Sequence, residues 1–82
     1  MPPQDLLQTL RKRPFEPFRI IVSDGTTYDV AHPELVMVGI GSGIVGLPAP
    51  NQAGPFYERH ETVNLRHVVR LVPATAASGN GQ

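Results

Sequence analysis

The chain has 82 residues, seven basic and seven acidic side chains, a formal net charge of zero and no cysteine. That length makes one small domain with little core to spare, and the missing cysteine removes disulfides and thiolate metal sites as supports. Balanced charge excludes a global field for DNA or an anionic membrane, and a partner subunit is the most economical remaining source of stability.

No charged-then-apolar leader and no long apolar run is present, so the expectation is a cytoplasmic chain with no membrane partner. From Gln4 to Arg13, Leu6, Leu7 and Leu10 recur at helical spacing. Asp5 in the first turn and Arg11, Lys12 and Arg13 in the last suit the helix dipole, and Pro14 and Pro17 end the element. Such a short helix needs a surface to pack on.

Residues 18–23 (FRIIVS) read as a strand ending at Asp24-Gly25, a two-residue hairpin signal, with residues 26–31 as the returning strand. His32-Pro33-Glu34 breaks it as a corner. Residues 35–40 make an almost wholly apolar third strand, which implies burial on both faces or at a subunit seam. Gly41-Ser42-Gly43 turns into a short strand over 44–47. Residues 48–55 (PAPNQAGP) are a mobile loop by composition. Residues 56–64 alternate as a further strand, residues 64–67 form one tight 3₁₀-like turn, and a last strand runs over 68–72. The expected domain is 1–73, with 74–82 (ATAASGNGQ) a disordered tail.

Short strands with tight turns expose edges unless they close on themselves. The predicted fold is therefore mainly β, an N-terminal helix followed by a small, strongly bent antiparallel barrel of the Sm-like or SH3-like kind. Its core is expected in or near Phe18, Ile20, Val22, Tyr28, Val30, Val36, Val38, Val63, Leu65, Val68 and Leu71.

Chemistry is sparsely marked. His32, His60 and His67 with Glu34, Glu58 and Glu61 lack metal-ligand spacing, so no metal is expected. Asp24, Asp29 and Glu34 have no nucleophile beside them, and Ser23 and Ser42 no base, so no catalytic residue, enzyme activity or cofactor is expected. The glycine-rich run at 39–43 follows a strand and opens no helix, unlike a phosphate loop. Arg11-Lys12-Arg13 reads either as a phosphate patch or as a cationic helix end, and Arg66-His67 as a nucleotide contact or a solvated turn.

Gln4-Asp5, Leu10-Arg11-Lys12, the Asp24-Gly25 hairpin and Leu65-Arg66-His67 before a strand ending in Val72-Pro73 resemble the bacterial Sm-like, host-factor RNA chaperones over residues 4–73. The run from Arg13 to Arg19, Asp24-Gly25 and His32-Pro33-Glu34 also resemble short bacterial proteins with an R-P-F-x-P-F-R, D-G, H-P-E pattern, a closer local likeness that implies no activity. The Sm-like resemblance implies a homo-oligomeric ring binding single-stranded RNA. Gln4, Arg66 and His67 would lie near the pore, and Arg11 and Lys12 on a basic rim. The chain departs from that family at Asp29, which stands in place of a glycine, at His32-Pro33-Glu34, and in lacking the aromatic residue that stacks a base. Two function classes stand: an RNA-binding ring, and a protein-interaction or structural barrel without nucleic-acid contacts.

Overall fold

The computed structural model describes residues 1–51 and 54–74. Helix α1 spans Pro3–Arg11, with Pro3 at its first position, where the lost N–H has no partner to miss. It ends two residues earlier than the charge pattern predicts. Arg13 lies outside it and folds back, its Nη1 donating to the carbonyls of Leu10 at 3.2 Å and Lys12 at 2.9 Å. Leu6 and Leu10, one turn apart, are the buried face.

The strands form two three-stranded antiparallel sheets. The first, in the order β2-β1-β6, comprises β1 (Phe18–Val22), β2 (Thr27–Val30) and β6 (Val68–Pro73). The second, in the order β3-β4-β5, comprises β3 (Val36–Val38), β4 (Ser42–Leu47) and β5 (Arg59–Asn64). Among the described residues no ladder joins the sheets into a closed barrel, so β2, β6, β3 and β5 are all edges. The chain changes sheet at two 3₁₀ corners, Pro33–Leu35 between β2 and β3 and Leu65–His67 between β5 and β6. Each corner drives one leucine inward: Leu35 is 4% exposed and Leu65 2%.

Period-2 alternation aims one face of each sheet at a shared core. Phe18, Ile20 and Val30 enter it from the first sheet, Val36, Val45 and Val63 from the second, and Leu6 and Leu10 from the helix. All eleven residues predicted for the core are buried or packed against it, and Leu6, Leu10, Leu35 and Val45 join them. No polar or charged side chain is buried among the described residues.

Two local readings change. The turn enclosed by Val22 and Thr26 has three residues, Ser23, Asp24 and Gly25, rather than two. The Val22 N–H donates to Thr26 O, the Gly25 N–H donates to Val22 O, and Gly25 takes φ +93°. A turn followed by a left-handed residue keeps the strand twist continuous, and glycine adopts that conformation without steric cost. The third strand is also shorter than predicted and buried on one face only, because Leu35 belongs to the corner and Met37 and Ile40 point outward at 68% and 95% exposure. The ladder between β1 and β6 extends to Ala74, whose N–H donates to Pro17 O at 3.0 Å. The rest of the predicted tail, 75–82, lies outside the described residues, as do 52 and 53 of the predicted loop. No helix among the described residues is long and apolar enough to cross a membrane.

Candidate functional site

The five residues that the Sm-like resemblance would assign to RNA fall at two places. Arg66 and His67 stand exposed on the second 3₁₀ corner. Local chemistry fixes that corner: Asn64 Oδ1 accepts the Arg66 N–H at 2.9 Å, and the Val68 N–H returns to Leu65 O. The Ser23 N–H donates to His67 O at 2.8 Å, tying the corner to the β1–β2 turn. The Met1 ammonium donates to Leu65 O at 2.9 Å, so the start of α1, with Gln4 in its first turn, reaches the same end of the molecule.

Arg11 and Lys12 are at the other end of α1, about 10 Å from Gln4 at 1.5 Å per residue. Two of the three cations there have partners within the chain. Lys12 Nζ meets Glu16 Oε1 at 2.9 Å and Arg13 serves the helix carbonyls, leaving Arg11 without a carboxylate partner among the described residues. Other cations are also engaged. Arg19 and Asp29, opposite each other on β1 and β2, make a two-pronged pair at 2.6 and 3.3 Å, which raises the Arg19 pKa chiefly through that hydrogen bond. Asp29, the departure from the Sm-like pattern, is thus a cross-strand partner. Arg59 pairs with Glu61 at 3.1 Å.

A cleft of about 420 Å³ opens between the β1–β2 turn and β5, with Asp24, Tyr28, Thr62 and His67 on its walls. Asp24 Oδ1 accepts the Thr26 N–H at 2.9 Å. That bond is the main cause holding the Asp24 carboxyl below its ordinary pKa, and His67 adds a smaller effect of the same sign. The Tyr28 hydroxyl donates to Glu61 Oε1, which raises the phenol's pKa, with burial a second cause. Among the described residues no three His, Asp or Glu side chains converge as metal ligands.

The least expected surface is the outer face of the β3-β4-β5 sheet. Met37 and Ile44 are cross-strand partners there, and with Tyr57, His60 and Glu34 they line an open groove over Gly46. Met37 is 68% exposed and Tyr57 62%. The Tyr57 and His60 rings meet edge-on, 6.1 Å apart. The Glu58 N–H donates to Leu47 O at 2.9 Å, closing the base of the 48–57 loop and setting Tyr57 over Gly46. Sequence reasoning placed Tyr57 on a strand. The glycine at 46, opposite His60, was the available sign that something packs on that face. Comparison with protein-family models, curated proteins and solved structures gives no match to this chain.

Proposed function

We propose that the chain is a non-enzymatic, strongly bent small β-barrel that assembles with copies of itself and acts as an interaction module. The observation that carries this reading is the outward face of the β3-β4-β5 sheet, where Met37, Ile44 and Tyr57 lie exposed together. Contiguous apolar side chains on a small domain mark an association surface. The four open strand edges add main-chain donors and acceptors for pairing between copies. The two corners that carry the chain between sheets support the barrel reading, since bent barrels use such turns to pass from one layer to the other. Sedimentation velocity at tens of micromolar tests the reading. A concentration-dependent oligomer is expected, and a monomer at every concentration would count against it.

A second reading, a ring that binds single-stranded RNA, is favoured by one observation: Arg66 and His67 stand exposed side by side, at the end of the molecule that also carries Gln4. Ring symmetry would repeat those groups around an axis and concentrate positive charge despite zero net charge. Titration with oligo-uridine at two salt concentrations tests it, with salt-sensitive binding as the expected result.

A further inference from the structure

We propose that the groove between α1 and the free edge of β3 accepts an extended aliphatic segment of a partner protein, with an acidic side chain of that segment held against Arg11 and Arg13. The inference rests on reading the chain as an interaction module, and it names a partner class for a surface other than the Met37–Tyr57 face.

The geometry begins with hydrogen-bond parity. The Gly39 N–H donates to Ser42 O at 2.7 Å, making those two a hydrogen-bonded pair across the β3–β4 turn. The next pair, Val38 with Gly43, is then non-hydrogen-bonded, so the N–H and C=O of Val38 point away from β4. On that side β3 has no strand neighbour among the described residues. The facing wall is one stripe of α1, Gln4, Leu7 and Arg11, and the strand wall is Val36, Val38 and Ile40. Leu7 and Val38 border both hollows, which therefore adjoin at that pair and follow one another along the strand. Their joint length along the helix is about 10 Å, room for about three residues of extended chain.

The charges sit at one end. Arg11 and Arg13 border the groove beside Pro33, and neither meets a carboxylate within ion-pair distance among the described residues. Glu34, the acidic residue on the same walls, is outnumbered two to one. At the opposite end are Gln4 and Ile40, the latter 95% exposed, with no charged group. An aliphatic floor with two guanidiniums at one end complements a strand of branched apolar residues bearing one Asp or Glu. Main-chain pairing to Val38 would supply affinity, and the charge would set direction and register. A nucleic acid would instead require cations along the whole path and a ring to stack on.

The experiment is fluorescence polarisation with a fluorescein-labelled acetyl-GVIVEG-amide peptide. Saturable binding is expected, weakened by at least about tenfold in Arg11→Glu and when lysine replaces the peptide's glutamate. N-methylation of the central amides should abolish it, a change that leaves the protein untouched. A melting curve for Arg11→Glu verifies that the variant is folded. Equal binding by that variant, equal binding of the methylated peptide, no saturation, or displacement by oligo-uridine would each overturn the proposal. Sedimentation of the free chain separates the two readings: a monomer that binds the peptide refutes self-association alone, and an oligomer that ignores the peptide refutes the groove alone.

Discussion

The Tyr28 hydroxyl donates to Glu61 Oε1 at 2.7 Å, linking β2 of the first sheet to β5 of the second. Glu61 also accepts from Arg59 through its other oxygen, so one carboxylate serves both a surface cation and the gap between the sheets. Among the described residues no strand ladder joins the sheets, and apolar side chains from both meet in the shared core.

Tyr28→Phe keeps the ring and removes the bond. A loss of about 0.5–1.5 kcal/mol is expected by urea denaturation. The phenol's pKa is raised in the folded state, so the fold binds that proton more tightly than the unfolded chain does. Its contribution is complete below about pH 10 and declines as pH rises through the folded value. The alkaline limb of the wild-type stability profile should therefore flatten in the variant. Identical limbs would remove the linkage.

Asp24 acts in the opposite pH range. Its pKa is lowered mainly by the Thr26 N–H, so its contribution is present above the ordinary aspartate value and fades as pH falls through the depressed one. Asp24→Ala should flatten the acid limb, measured as melting temperature against pH, whereas Asp24→Asn keeps an acceptor oxygen for the turn while abolishing the titration.

Gly46→Ala tests the packing under Tyr57. A Cβ at that position would lie 3.1 Å from Tyr57 Cβ and 3.2 Å from Leu35 Cδ2. Neither neighbour is the free end of a long chain, since Leu35 is held in a buried corner. Overpacking of this kind costs about 1–3 kcal/mol, read by denaturant midpoint. Replacing the exposed Tyr57 by glycine as well removes its Cβ and should recover part of the loss.

Met37→Lys tests association. Met37 is exposed in the single chain, so the change should alter stability by no more than about 0.5 kcal/mol. It would nevertheless place a charge in the proposed contact and shift the oligomer toward monomer by sedimentation. An unchanged assembly would move the interface to the strand edges.

Arg66→Ala addresses the RNA reading. The side chain is exposed and its corner is held by backbone and Asn64 contacts, so folding should be unaffected. Oligo-uridine binding should weaken and its salt dependence become shallower. Equal binding by both proteins at low salt would leave the interaction module as the sole reading.

Strand positions were legible where side chains alternate or turn chemistry is strong. Phe18 and Ile20 point inward as the pattern requires, Asp24-Gly25 turns the chain, and residues 65–67 form the single 3₁₀ turn that their sequence suggests. Residues 35–40 were harder, because an unbroken apolar run carries no periodicity. Nothing local says that Leu35 turns into a corner while Met37 faces outward. The partners of the basic run were legible only in part: Glu16 follows Lys12 closely in sequence, but Arg13 donating to the Leu10 carbonyl depends on the chain reversing there. The groove beside β3 joins residues of α1 to residues of a distant strand, a juxtaposition that only tertiary packing creates.

The pairing of β1 with β6 has a consequence for synthesis. β1 is the central strand of its sheet, and β6, the last strand in chain order, supplies one of its two flanks. While the ribosome is still delivering the intervening strands, Phe18 and Ile20 have only β2 and the preceding helix to pack with, and the other edge of β1 stays unpaired. The core is therefore completed only once β6 is made, and pairing between strands so far apart in sequence is slow to form. During that interval an exposed, β-branched strand is open to mispairing with a neighbouring nascent chain.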